Sequence, residues 1–371
     1  MPSKKNQHFV PRFLLRRWAV KDEEKIRMVH LKSRRIIPEA AISGQCSKDW
    51  MYGKDIRIED HFGGMEGNAQ IAIEHFSKTR EVPDHLCGFK TAVLIFMLMQ
   101  VARTEAAFLT QERMAKAAFT EVFGENLPAE LEELLNKQTY EEKVRLFLST
   151  SAPNLPFLYD LAFRVLEAQA DAEFIISDNP CILTNQLFHK RLRFSSLGWS
   201  MSGLQVFLPI DPKTTIMLYD RRIYKVGSRS DGFRVSLNAS DVETLNRIQV
   251  LNGLHSIYIS PMFSENRVQS LLSFAMPRKI EGFKIQEIPG GENNSLIATS
   301  RTDLNIPLEW AFCSILKKSR YLAALEYWGP RDKEFARRHR DIFGKQIKNE
   351  NQFRTVMWNM IQYQLERWKC F

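Results

Sequence analysis

Apolar positions recur along this chain with two different periods, and the dominant period changes part-way. Between Ile58 and Phe76 the residues Ile58, Phe62, Met65, Ala69, Ile73 and Phe76 fall on one stripe at three- and four-residue spacing, which predicts an amphipathic helix. Gly63 and Gly64 weaken its early turns or let a neighbour approach closely. After a break at Pro83-Asp84, His85 to Glu112 carries the strongest helical signal, nearly continuously apolar from Ala92 to Ala102. That run is about half of the ~20 residues a bilayer span needs, so it predicts a buried core helix. Amphipathic patterns over residues 121–136, 139–149 and 155–168 predict three further helices. Ahead of them, Gln7 to Trp18 mixes extended and helical spacing, with Pro11 in the first turn of a short helix running to Arg17. Ile26 to Leu31 and Arg35 to Ile37 alternate apolar and polar residues and predict a short hairpin, and residues 43–54 read as loop.

From Glu173 onward, short β-branched runs replace the helical period. Phe174 to Ser177 predicts a strand entering an Asp178-Asn179-Pro180 turn. Gln205 to Pro209 and Thr215 to Tyr219 predict two strands joined by a turn over residues 210–214. Asp241 to Gly253 predicts a helix and Ser256 to Ser260 a strand. The expectation is an α+β fold: a helix-rich N-terminal half, then a mixed, β-containing half. Pro289-Gly290-Gly291, with the polar residues after it, marks residues 288–302 as a linker between a main domain, residues 1–287, and a helical, aromatic and basic appendage over residues 303–371.

Composition changes this picture only in part. Hydrophobic residues at 44% and charged residues at 26% are ordinary for a folded chain and argue against disorder. The formal charge of +9 is compatible with a nucleic-acid partner without requiring one. Five cysteines, an odd number with no CxxC pair, argue against a zinc ribbon or a disulfide scaffold and fit a reducing, cytoplasmic compartment. The N-terminus has no uninterrupted apolar segment of the secretory kind, and no membrane partner is expected. The P-loop, GxGxxG, HExxH and GxSxG patterns are all missing from the sequence, which removes support for P-loop ATPase, nicotinamide, zinc-protease and α/β-hydrolase chemistry.

Five polar groupings interrupt the apolar pattern. His8 heads a short apolar segment and could act as a general base, ligand a metal or cap the first helix. Glu59 and Glu66, seven apart, lie near one helical face, with Glu66 on the margin of the buried stripe. Gln100, Arg103 and Thr104 adjoin the most apolar run, where an arginine needs an anionic partner: either a structural carboxylate such as Glu66 or Asp178, or a bound phosphate. Asp178 and Asn179 stand at a strand end, a position that suits a catalytic carboxylate and an ordinary turn alike. Asn246, Gln249 and Asn252 place amides at helical spacing, where they contact a ligand or cap turns.

Taken in order, Gln7-His8-Phe9-Val10-Pro11 with Leu14, Cys46, Tyr52-Gly53, Glu59, Glu66, Gln100 with Arg103-Thr104, Ser177-Asp178-Asn179-Pro180, Leu208-Pro209, Asn246 and Asn252 resemble the domain-of-unknown-function 4238 family, over roughly residues 5 to 265. The QHxVP and SDNP segments are its most specific marks, and a serine expected near Asp211 is missing. The resemblance implies no established activity. It does single out His8, Glu66, Gln100, Arg103, Asp178 and Asn179, all polar, which implies a shared polar site.

The expected function is phosphodiester hydrolysis by a metal-dependent, nuclease-like enzyme. In that expectation Glu66 and Asp178, with His8 as a further ligand or as general base, hold Mg²⁺ or Mn²⁺, Arg103 stabilises phosphoryl charge, and Gln100 and Asn179 orient water or substrate. The alternative is a non-catalytic module that binds nucleic acid or protein, with the polar cluster structural. A setting in bacterial phage defence or toxin activity suits either.

Overall fold

The computed structural model describes residues 5–20, 24–54, 56–79, 81, 88–123, 142, 151, 154–188, 197–228, 230–279, 283–290, 294–301 and 308–319. The fold is mixed α+β, with helices and sheets interleaved along the chain and not divided into halves. The N-terminal hairpin shows this most directly. Strands β2 (Lys25–His30) and β3 (Arg35–Ala41) form as the alternation predicts, but β2 also pairs antiparallel with β12 (Ser256–Ile259), far along the chain. With β6 (Ile176–Ser177) they make a four-stranded sheet of order β3-β2-β12-β6.

The second sheet has the order β11-β5-β9-β8-β7, with β5 at Ala162–Ala168, β7 at Ile182–Thr184, β8 at Gln205–Asp211, β9 at Thr214–Tyr219 and β11 at Arg234–Leu237. Every residue of β9, and all of β8 except Asp211, is buried, so both faces of the sheet are covered and the sequence there runs apolar without alternation. The helix expected over 155–168 is therefore split. Only α5 (Leu155–Tyr159) is helical, and Ala162–Ala168 is drawn into the sheet between β9 and β11. Cross-strand pairing overrides local propensity there.

Helix α2 (Ile56–Lys78) forms as expected and runs against α3 (Gly88–Ala102), which is buried along most of its length. The single helix expected from His85 to Glu112 is broken. Between α3 and α4 (Glu105–Phe123) the axis bends by 56° at Arg103-Thr104. Thr104 is the cause: its Oγ1 accepts the backbone N–H of Ala107 at 3.2 Å and so caps a new helix. Among the described residues no single helix is long and apolar enough to cross a membrane. The helices expected over 121–136 and 139–149 lie almost wholly outside the described residues.

Helices α6 (Ala239–Asn252) and α7 (Glu265–Ala275) pack together, each capped by a side-chain oxygen, of Asn238 and Ser264 respectively. The span expected to be a linker, residues 288–302, overlaps a hairpin of β13 (Phe283–Gly290) with β14 (Asn294–Arg301). Residues 308–319, at the start of the expected appendage, pack on the main core. Leu308, Trp310 and Phe312 are buried in the core against Phe207, and β15 (Cys313–Ile315) pairs with β10 (Tyr224–Val226). The remaining aromatic, basic residues lie outside the described ones. Cys46, Cys181 and Cys313 are buried free thiols.

Candidate functional site

The N-terminal segment is positioned by two glutamines. Strand β1 (Asn6–His8) pairs with β4 (Ser47–Asp49), and the buried Gln7 side chain reaches across to the following turn. Its Oε1 accepts from Tyr52 N at 2.6 Å and its Nε2 donates to Gly53 O at 3.0 Å. Gly53 needs to be glycine, because its φ is +90°. One residue past His8, the carbonyl of Phe9 accepts from Gln100 Nε2 at 2.7 Å. His8 is thus fixed between two anchored neighbours.

Gln100 also organises Arg103. Its Oε1 accepts from both Nε (2.9 Å) and Nη2 (2.8 Å) of Arg103, while Arg103 Nη1 donates to Glu66 Oε1 at 2.6 Å. Arg103 is fully buried, with Phe62 and Phe96 rings at 5.0 and 5.7 Å from its guanidinium carbon. Burying a charge costs several kcal/mol. The carboxylate, the amide dipole and two ring faces, each facing capable of about 2 kcal/mol when desolvated, offset that cost. The anionic partner that the sequence demanded for Arg103 is therefore Glu66.

On the other side of Glu66 lies a cleft of about 280 Å³, lined by His8, Arg12, Phe13, Glu59, Gly63, Glu66, Gly67 and Gln70. One face of α2 supplies five of these, at three- and four-residue intervals from Glu59 to Gln70. Gly63 and Gly67 have open space where a Cβ would stand, so nothing in the packing requires glycine at either position. Each costs the helix about 0.5–1 kcal/mol relative to alanine. The His8 Nε2 atom is buried with no hydrogen-bond partner. Its pKa is lowered, first by burial and then by the positive charge of Arg12, with a smaller push from Arg103, against the pull of the Ile42 and Ser43 backbone. The imidazole is therefore neutral at pH 7 with a lone pair inside the cleft wall.

Asp178 and Asn179 go elsewhere. The Asp178 carboxylate is buried in the turn after α6, where Oδ1 accepts from Leu254 N at 2.7 Å and Oδ2 from His255 N at 2.7 Å and Ser256 N at 3.1 Å. Burial raises its pKa, and those three N–H groups oppose the rise. Gly253 permits the approach, since a Cβ there would meet Ser177 at 2.9 Å. Asn179 accepts from Thr104 Oγ1 at 3.0 Å and donates to Asn252 O at 3.1 Å. The amides of Asn246, Gln249 and Asn252 bond the backbone between Glu173 and Cys181. They staple the fold, with Gln249 Oε1 left buried without a hydrogen-bond partner.

The expected six-residue cluster therefore divides in three. Glu66, Gln100 and Arg103 form a bonded triad, His8 and Glu66 share the cleft, and Asp178 with Asn179 locks the 252–256 turn. The expected metal held by Glu66, Asp178 and His8 is corrected accordingly: the two acids serve different partners, and among the described residues no group of three or more His, Cys, Asp and Glu is placed to hold a metal ion. Sequence reasoning missed Arg12 and Gln70. Gln70 was detectable, four residues beyond Glu66 on the same helical face, whereas nothing in the pattern marked Arg12.

A model of the family described as protein of unknown function (DUF4238) matches residues 6–262. The chain belongs to the DUF4238 family. No curated protein and no solved structure matches it. The cleft, the Arg103 triad and the Asp178 turn all lie inside the DUF4238 region, while the β13–β14 hairpin and β15 lie beyond it.

Proposed function

We propose that this DUF4238 chain is a hydrolase acting on phosphodiester bonds, with the cleft between β1 and α2 as its active site. The observation that carries the reading is a polar cleft lined together by the neutral imidazole of His8, the guanidinium of Arg12 and the carboxylates of Glu59 and Glu66. His8 is the cleft's one imidazole among the described residues and is the candidate general base. Arg12 supplies a cation for phosphate oxygens, and Glu66, paired with Arg103, lines the same cleft as His8. Gln100 and Arg103 act indirectly, by fixing Phe9 and Glu66. A divalent cation, if the reaction uses one, would draw its remaining ligands from substrate and water, with Glu66 and Glu59 as the cleft's oxygen donors.

The test is incubation of purified protein with RNA and DNA, with and without Mg²⁺ or Mn²⁺, beside His8→Ala and Glu66→Gln. Cleavage by the parent chain and its loss in both variants is expected. Cleavage that survives both substitutions overturns the assignment. A second reading, a non-catalytic binding module, is favoured by one specific fact: Gln100, Arg103, Asp178 and Asn179 spend their hydrogen bonds within the fold. Nucleic-acid binding without cleavage would select it.

A further inference from the structure

We infer that the tip of the β2–β3 hairpin is a contact for the phosphate backbone of a nucleic acid, made by Lys32, Arg34 and Arg35. The contact is independent of what the cleft does. Three cations fall within four successive residues, Lys32 to Arg35, and all three are exposed. Among the described residues no carboxylate pairs with any of them, whereas other basic residues of the same sheet are answered. Arg27 has Glu265 at 3.2 Å, and the hairpin's own acid, Glu39, sits at its far end on Lys25 at 2.6 Å.

The backbone points the same way. Arg34 stands at φ +56°, the left-handed region where glycine or asparagine is the ordinary choice. The turn holds an arginine there at a conformational cost, which a contact made by the guanidinium accounts for. The loop is also fixed in advance. Leu31 is buried and donates its N–H to His255 O at 2.8 Å, Ser33 N–H donates to His30 Nδ1 at 3.2 Å, and His30 pairs with Arg35 across the strands. Cations carried on an ordered tip lose less freedom when they bind. Guarding the sheet edge does not require them, because β3 is the outer strand and Pro38 in its middle already blocks pairing there.

The side chains around the three cations select the partner. Within residues 31–36 no apolar side chain is exposed: Leu31 is buried and Ile36 half-buried. A membrane prong inserts apolar groups, and a protein interface is anchored on aromatic or apolar ones. A phosphate backbone is held by charge alone, and the formal charge of +9 favours its approach. RNA and DNA share that backbone.

The experiment follows fluorescence anisotropy of labelled single-stranded RNA, single-stranded DNA and duplex DNA with the full chain in EDTA, from about 50 to 200 mM salt. The parent binds, and the preferred strand separates RNA from DNA. Combining Lys32→Gln, Arg34→Asn and Arg35→Gln weakens binding about 10²-fold near 0.1 M salt and lowers the slope of log affinity against log salt by about 2–3. A control combining Lys225→Gln, Lys317→Gln and Lys318→Gln, which removes equal charge from exposed lysines elsewhere, stays within about threefold of the parent. Arg34→Asn alone raises the thermal midpoint by about 1–2 °C yet lowers the slope by about 0.7–0.9, and it keeps the test open where the triple variant fails to fold. No binding of any strand by the parent, a hairpin triple that folds and binds like the parent, or a control that loses as much overturns the inference. So does tighter binding to anionic vesicles or to polyglutamate than to any strand. Binding without cleavage sustains the tip contact and removes the hydrolase reading of the cleft, so the two fail separately.

Discussion

The QHFVP and SDNP segments are the two most specific marks of this chain, and their polar residues meet opposite fates. At Asp178 every oxygen is consumed: three backbone N–H groups close on it, Asn179 is bonded on both sides, and Gly253 is needed for the fit. At His8 the surroundings are as carefully fixed, by Gln7 and Gln100, yet one nitrogen is left unanswered beside a cleft whose floor is bare helix. A polar residue in an apolar setting is thus no guide to function by itself. What separates the two regions is whether the hydrogen-bonding capacity is spent inside the protein.

Four experiments break or sharpen that comparison. The largest effect is on cleavage: His8→Ala lowers the rate about 10²–10⁴-fold, some 3–5 kcal/mol of barrier, while urea unfolding shows the midpoint nearly unmoved. A large loss of stability would instead make His8 a structural residue like Asp178. Next is Asp178→Ala, which strands three inward-facing N–H groups and lowers unfolding free energy by about 3 kcal/mol, with cleavage per folded molecule unchanged. An unaltered urea midpoint would show that the turn is held by something else.

The third is the pH profile. A base must be unprotonated to act, and the His8 pKa in the folded chain lies below 6.5, so activity is full at neutral pH and falls tenfold per unit only once pH drops through that lowered value. The linked stability has the same sign. Below about pH 6.5 the unfolded chain takes up a proton that folded His8 refuses, so stability declines as pH falls until the folded group titrates too. An acid limb centred above 6.5 would assign the base elsewhere. The smallest is Gly64→Ala, on α2 but not lining the cleft, which stabilises the fold by about 0.5–1 kcal/mol and leaves cleavage alone. A drop in rate would mean that the softness of the helix matters, not the space on its face.

Much of this was readable from residue order where the cause is local. The hairpin at Ile26, the stripe of α2 and the helix expected from Asp241 follow from local pattern alone, while the Asn238 cap that starts that helix was not read. Three features were not. The helix read through Ala162–Ala168 fails because the deciding partners, β9 and β11, come some fifty to seventy residues later. The bend at Arg103 turns on one threonine hydroxyl, which the apolar run around it obscured. For the site, the residue types were visible but their pairing was not. Gln7 with Tyr52, and Glu66 with Arg103, join positions 45 and 37 apart, and only the fold decides that Glu66 rather than Asp178 answers the arginine.

The glutamine preceding the histidine has a consequence for fidelity of alignment. On an extended segment neighbouring side chains point to opposite sides, so a slip of one position along β4 would swap them and offer the cleft an amide or a phenyl ring in place of a base. A strand of three residues has little to resist such sliding. The bidentate grip of Gln7 on the 52–53 turn acts as an index pin: it fits in one alignment only, and so it determines which residue the protein presents for chemistry.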